Sequence, residues 1–224
     1  STLKKAPRAQ IQAACGTGKT HIGMRATEQL VSSMHEKKSI IVIVEPTCTL
    51  IAQVLKQWYR YSEHRDRYRV ITVFSKVHDQ TEDHDPENGE REEDIDRFKK
   101  GVPDTWNKVE LDPTNLQDWF TLGEEEQNKD KIDLVFVTYH SLPTVSSALD
   151  NNALEASMVL FDEAHKMAAV RSVRKDMANA TGKTKTKWAH GLDAKECPAA
   201  KRLFLTATPK LLGSRASKAK EEDL

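Results

Sequence analysis

The stretch Ala13–Thr20 reads A-A-C-G-T-G-K-T, and the rest of the chain is interpreted around it. It follows the phosphate-loop pattern G-x-x-x-x-G-K-[ST], known as Walker A, with Ala13 in place of the first glycine. The two glycines of G-T-G allow the backbone to turn tightly and to aim its N–H groups at an anion. The Lys19 ammonium can reach the outer phosphates, and the Thr20 hydroxyl can coordinate Mg²⁺. This stretch therefore predicts a nucleoside triphosphate site.

The surroundings of the loop favour a phosphate site over a chance match. An apolar segment that suits a strand leads into the loop, and Ile22, Ala26 and Leu30 recur after it at helical spacing. A second G-K-T, at 182–184, follows a charged segment without an apolar strand and is interpreted as a solvated, lysine-rich turn. The residues expected to line the triphosphate are Ala14, Cys15, Gly16, Thr17, Gly18, Lys19 and Thr20.

The composition argues against a membrane-embedded or disulfide-rich protein. With 224 residues, 38% hydrophobic and 30% charged, the chain can bury a substantial core and is expected to be soluble. Its longest aliphatic run, at 40–44, is far too short to cross a bilayer, and no signal peptide is visible. The three cysteines form no C-x-x-C pair, so we expect neither a disulfide framework nor a zinc site. An intracellular compartment fits best, with cytoplasm and nucleus both open.

The charge is balanced overall but divided unevenly along the chain. Of 34 acidic and 34 basic side chains, 18 acidic and six basic lie between His78 and Asp130. The remainder holds 16 acidic and 28 basic side chains, an excess that permits a polyanionic partner. The stretch 75–130 is highly charged and without a sustained period, and is expected to be a solvated insertion with short helices near 94–99 and 116–122.

Six short apolar runs predict strands that alternate with helices. The run at 39–44 is β-branched and lacks polar alternation, as is typical of a parallel strand that is covered on both faces. This order predicts an α/β fold, a three-layer sandwich with a mostly parallel sheet. The predicted strands lie at 10–15, 39–44, 69–74, 132–138, 156–161 and 202–206.

Two acids follow the buried run at 156–161. Asp162 can hold Mg²⁺ through water, and Glu163 can orient or deprotonate the water that attacks the terminal phosphate. An Asp-Glu pair after a strand could instead cap the next helix. The phosphate loop upstream favours the catalytic interpretation.

These motifs together resemble superfamily 2 helicases. The phosphate loop, D-E-A-H at 162–165 and T-A-T-P at 206–209 resemble motifs I, II and III of the first RecA-like domain, a P-loop NTPase fold. The branch is that of restriction-enzyme-type DEAH ATPases, similar to the type III res subunit. E-P-T at 45–47 resembles motif Ia, and V-T-Y-H-S-L at 137–142 resembles the nucleic-acid-contacting motif that follows it.

The resemblance implies roles for the matching positions. The catalytic set is Lys19, Asp162, Glu163 and His165, and the Mg²⁺ ligands are Thr20 and Asp162. His165 would link the nucleotide site to motif III, where Thr206 and Thr208 would relay the nucleotide state. The residues expected near a sugar-phosphate backbone are Pro46, Thr47, Thr138 and Tyr139. The motif III strand is expected to lie between those of motifs I and II.

The implied function is an ATP-binding and ATP-hydrolysing motor domain of a DNA helicase or translocase. DNA is favoured over RNA by the family branch alone. Residues 1–224 would form one such domain with an acidic insertion at about 75–130. A second RecA-like domain would lie elsewhere in a longer chain, so the 224 residues alone should turn over little ATP. A nucleotide-dependent switch or binding module acting on protein partners or RNA, without strand tracking, remains an open alternative.

Overall fold

The computed structural model describes residues 7–14, 16–33, 39–74, 101–106, 108–110, 113–123, 125, 128, 130–165 and 187–207. In this part of the chain seven strands form one sheet: β1 (Arg8–Gln12), β2 (Ile40–Glu45), β3 (Tyr68–Val73), β4 (Val109–Glu110), β5 (Ile132–Thr138), β6 (Met158–Phe161) and β7 (Arg202–Thr206). Four α-helices accompany them: α1 (Lys19–Ser32), α2 (Cys48–Tyr61), α3 (Pro113–Gly123) and α4 (Leu142–Asn151). Three short 3₁₀ turns span Arg65–Arg67, Asp104–Trp106 and Lys187–Leu192.

The strands run in the order β1-β7-β6-β2-β5-β3-β4, and every pairing between them is parallel. The six strands expected from the sequence are present, and the predicted α/β sandwich is confirmed with a sheet that is parallel throughout. Strands β2 and β5 lie at its centre and are buried at every position, which explains their unbroken apolar sequences. No helix in the described ranges has the length and apolarity needed to cross a membrane.

Helices cover both faces of the sheet and give it two hydrophobic cores. On one face α1 and α2 pack through side chains such as Met24, Leu55 and Trp58. On the other face α3 and α4 contribute residues such as Phe120 and Val145. Helix α2 begins at an N-cap threonine, Thr47, whose side-chain oxygen accepts the Leu50 N–H at 3.3 Å. The layers therefore hold the carboxyl ends of the central strands in fixed relative positions.

Part of the stretch expected to be a solvated insertion is built into the domain. Strand β4 pairs with β3, and Trp106 packs edge-on against Tyr59 and Tyr68, with ring centroids 5.3 and 5.8 Å apart. The helix expected near 116–122 is present as α3, and its Phe120 is fully buried. The expectation of a solvated stretch does not hold around Trp106 and Phe120, because average polarity concealed a few large apolar side chains that reach the cores. The helix expected near 94–99 lies outside the described residues.

Candidate active site

The carboxyl edge of the sheet brings the predicted motifs together. Strand β7 lies between β1 and β6, so the strand that ends at Thr206 separates the phosphate loop from the acids of 162–165, as expected. Main-chain hydrogen bonds fix this arrangement: the Ala13 N–H donates to the Thr206 carbonyl at 3.0 Å, and the Ala164 N–H donates to the Leu205 carbonyl at 2.9 Å. Three loops that are distant in sequence therefore form one continuous edge.

The phosphate loop has the backbone of an anion cradle. Gly16 and Gly18 have φ angles of 78° and 85°, in the left-handed region that strongly favours glycine. Thr17 folds back on the loop, where its hydroxyl donates to the Ala14 carbonyl at 2.7 Å. Helix α1 starts directly after Gly18 without a side-chain cap, so the N–H groups and the positive end of the helix adjoin the loop. Among the predicted contacts Thr20 is partly buried in the first turn, and Cys15 lies outside the described residues.

A line of polar groups connects the phosphate loop to β7. Lys19 is only 9% exposed, and its Nζ lies 3.8 Å from Oε1 of Glu163. The other oxygen of Glu163, Oε2, lies 3.1 Å from Nδ1 of His165. The same His165 nitrogen lies 3.3 Å from Oγ1 of Thr206. Four predicted site residues from three loops are thus in direct contact, whereas Thr208 lies outside the described residues.

The turn after β6 holds its two acids in a constrained conformation. Glu163 has a φ of 46°, which a residue with a Cβ adopts at a cost of about 1 kcal/mol. Its N–H donates to Oδ1 of Asp162 at 2.8 Å, and the Asp162 N–H donates to the Val44 carbonyl at 3.0 Å. Strain of this kind is concentrated at functional sites, where surrounding contacts enforce it.

A third acid, Glu45, lies beside this turn, and sequence reasoning did not include it among the site residues. Glu45 ends β2, is 1% exposed, and its Oε2 has no hydrogen-bond partner among the described residues. Burial, reinforced by the charges of Asp162 and Glu163, raises the pKa of Glu45 well above its ordinary value. The available signal was an acid that directly continues a five-residue aliphatic strand.

The electrostatics around Asp162 favour a cation. Burial raises the pKa of Asp162, and the negative charge of Glu163 acts in the same direction, while the Glu163 N–H, Lys19 and His165 oppose them. In the described part of the chain no three His, Cys, Asp or Glu side chains are grouped so that they could hold a metal by themselves. Negative charge is therefore concentrated at the turn after β6, where Asp162 and Glu163 lie near the end of β2.

The four residues predicted to approach nucleic acid are mostly turned inward. Pro46, Thr138 and Tyr139 are buried, and Thr138 Oγ1 lies 3.2 Å from the Ser141 hydroxyl. Thr47 is partly exposed and caps α2. These positions follow from their place at strand ends beneath the covering helices.

Comparison with known proteins gives a family and a fold. Residues 2–211 match the family described as type III restriction enzyme, res subunit. A search of curated proteins finds no match. The structure is similar to a nuclease-deletion mutant of the Type ISP restriction-modification enzyme LlaGI in complex with a DNA substrate mimic, with a TM-score of 0.68 and 21% identity over 94% of this chain. It is also similar to the ATP-dependent Type ISP restriction-modification enzyme LlaBIII bound to DNA, with a TM-score of 0.65 and 19% identity over 93% of this chain.

This chain spans only 16% and 12% of those two longer chains. At such identities the likeness establishes the fold, which is the RecA-like α/β sandwich expected from the motifs. The family match rests on the sequence itself and covers nearly the whole chain.

Proposed function

Because the chain belongs to the family of the type III restriction enzyme res subunit, we propose that it is the nucleotide-hydrolysing part of a motor acting on DNA. In this proposal it is the first RecA-like domain of a DEAH-type helicase or translocase. The observation that carries the proposal is the contact line from Lys19 through Glu163 and His165 to Thr206. It joins a phosphate-binding lysine, an acid able to position water, and the strand end that would report the nucleotide state.

The phosphate loop would hold the triphosphate of ATP. The main-chain N–H groups at 18–20 and the positive end of α1 would offer donors to phosphate oxygens. Lys19 would exchange its 3.8 Å contact with Glu163 for the outer phosphates. Loss of this ion pair would leave the Glu163 carboxylate free to turn toward the attacking water.

The acids at the end of β6 would serve the metal and the water. Asp162 and the Thr20 hydroxyl would hold Mg²⁺. When bound, the metal would supply positive charge that offsets the negative charge of the phosphates and of the clustered acids. Glu163 would orient the water and accept its proton, in contact with His165. The buried, unpartnered oxygen of Glu45 supports a cation here, because three acids share this edge.

DNA is the proposed partner of the sheet edge at the carboxyl ends of β2 and β5, beside the proposed nucleotide site. The two similar structures are complexes with a DNA substrate mimic and with DNA, and the chain outside His78–Asp130 has an excess of basic side chains. The residues proposed to lie near DNA phosphates are Pro46, Thr47, Thr138 and Tyr139, and a second RecA-like domain would close over both ligands. Without that domain, and the arginine finger it would bring, turnover should be low, because such a finger contributes about 10³–10⁵ in related phosphoryl transfers.

The test is ATP turnover by the full-length protein with and without double-stranded DNA. We expect stimulation by DNA, and strongly reduced ATP binding in Lys19→Ala. A protein that hydrolyses ATP without any response to DNA would instead support a switch acting on other partners. The 224 residues alone should release phosphate slowly in the same assay, and robust DNA-stimulated turnover by them would contradict the two-domain account.

A further inference from the structure

Tyr139 connects the carboxyl ends of β5 and β6, two strands that are not adjacent in the sheet. It follows β5, and its hydroxyl donates to the main-chain carbonyl of Asp162, after β6, at 2.7 Å. Strand β2 lies between β5 and β6, so the side chain passes across the end of β2. On the way its own N–H donates to the Glu45 carbonyl at 3.2 Å. Tyr139 therefore contacts the last residue of β2 and the first residue after β6.

The hydroxyl does more than fill space. Tyr139 is 1% exposed, and its ring lies 6.2 Å from that of Phe161, a packing that phenylalanine could provide as well. Burying a hydroxyl is unfavourable unless it forms a hydrogen bond, and this one is formed to the turn that carries the strained Glu163. The charges of Glu45, Asp162 and Glu163 all act on this hydroxyl, so it is placed among the acids.

We propose that Tyr139 is a positioning residue whose hydroxyl sets the Asp162–Glu163 turn and couples it to the segment 138–141. The segment belongs to the edge proposed for DNA, so a shift of 138–141 on DNA binding would move the Asp162 carbonyl directly. The proposal rests on the proposed function, since it needs both an ATPase and a DNA response. It differs from the expectation that Tyr139 touches the nucleic acid, because it assigns the side chain an internal contact.

The test compares two tyrosine-to-phenylalanine variants of the full-length protein. Tyr139→Phe removes the hydroxyl and keeps the ring, so the variant should fold. Tyr68→Phe is the matched control, because Tyr68 is also nearly buried, its hydroxyl accepts only a 3.3 Å hydrogen bond from Ser62, and it packs on the opposite face of the sheet. Both variants should melt at similar temperatures.

We expect Tyr139→Phe to lower the DNA-stimulated kcat about five- to tenfold, as the loss of one hydrogen bond to a turn suggests, with KM for ATP within about twofold. Tyr68→Phe should leave both constants within about twofold. A second readout does not depend on turnover: the ratio of DNA affinities with and without a non-hydrolysable ATP analogue. Because coupling between two ligands is reciprocal, this ratio should move toward one in Tyr139→Phe and stay at the parent value in Tyr68→Phe.

The tyrosine variants test the role of the Tyr139 hydroxyl, and a separate Glu163→Gln variant tests the proposed function. Equal kcat and equal affinity ratios in the two tyrosine variants would overturn the role of the hydroxyl, even if DNA-stimulated ATPase activity is intact. A Glu163→Gln variant run alongside reports on the function itself. If that variant turned over ATP at the parent rate, the assignment of the catalytic site would be wrong, whatever Tyr139→Phe showed.

Discussion

Replacing Glu163 by glutamine is the most direct perturbation of the proposed site. The amide has the size of the carboxylate, so the turn and the contact with His165 at 3.1 Å can persist. It has no negative charge and cannot accept a proton from water. The substitution therefore removes the proposed chemistry and leaves the phosphate loop in place.

Glu163→Gln should have opposite effects on the rate and on binding. Loss of a positioned general base lowers the rate about 10²-fold or more, which corresponds to about 2.7 kcal/mol on the barrier. Binding should respond in the opposite direction. In the parent, Lys19 must leave the Glu163 carboxylate 3.8 Å away before it meets a phosphate. For a pair in which Glu163 is 25% exposed, this contact contributes about 0.5–1 kcal/mol, so Mg·ATP should bind equally well or about two- to fivefold more tightly.

The assay is single-turnover phosphate release at saturating ATP, paired with calorimetric measurement of Mg·ATP binding. Glu63→Gln is a matched control, because Glu63 is an exposed acid that pairs with Arg25 at 2.6 Å and has no role in the proposed site. It should leave rate and affinity unchanged. A Glu163→Gln protein that releases phosphate at the parent rate, or that loses ATP binding, would refute the reasoning.

Three further predictions address packing, pH and charge. In Gly191→Ala the new Cβ would collide with the ring of Phe161, so we expect a loss of about 1–3 kcal/mol in unfolding free energy; an unchanged denaturation midpoint would contradict this. Glu45→Gln should stabilise the nucleotide-free protein at neutral pH, because the pKa of Glu45 is raised in the folded state and ionisation therefore favours the unfolded state. Melting curves should show that this gain shrinks as the pH falls toward 4.5, below which the carboxyl is protonated in both states. Deleting residues 79–96 should leave DNA affinity intact or increase it, and affinity should fall steeply with added salt; binding that is lost on deletion or independent of salt would count against the charge argument.

The parts of the fold that were predictable are those in which local sequence and global environment agree. Strands β2 and β5 are covered on both faces, so their sequences lack polar positions and could be recognised without knowledge of the neighbours. The phosphate loop was also predictable from local sequence, because its backbone has positive φ angles at Gly16 and Gly18, which favour glycine. The two-residue strand β4 has no such signal. Its place is set by pairing with β3 and by Trp106 packing nearby.

The residues of the candidate site also fall into two groups: those that a local motif predicts and those whose contacts depend on the order of the strands. Lys19, Asp162, Glu163 and His165 are recognisable because each lies within a contiguous motif. Glu45 also has a local signal, as the acid that ends an aliphatic strand. Its place near Asp162, and the internal contact of Tyr139, follow from the strand order β6-β2-β5, which no short stretch of sequence encodes. The resemblance of V-T-Y-H-S-L at 137–142 to a nucleic-acid-contacting motif predicts that Tyr139 lies near a sugar-phosphate backbone, but it gives no direction for the side chain. In the structure the Tyr139 ring belongs to the core that also contains Leu142 and Val145, and its hydroxyl bonds to the Asp162 carbonyl.

The internal contact of Tyr139 changes how a movement of the segment 138–141 could affect the proposed nucleotide site. If Tyr139 contacted DNA with its ring, nucleotide state could reach it only through movements of β5 as a whole. With the hydroxyl bonded to Asp162, a displacement at 138–141 acts on the proposed metal acid through one hydrogen bond of 2.7 Å. The His165–Thr206 contact offers a second route on the other side of β6. The Asp162–Glu163 turn therefore lies between two contacts, and loss of the Tyr139 hydroxyl should weaken DNA stimulation without affecting the phosphate loop.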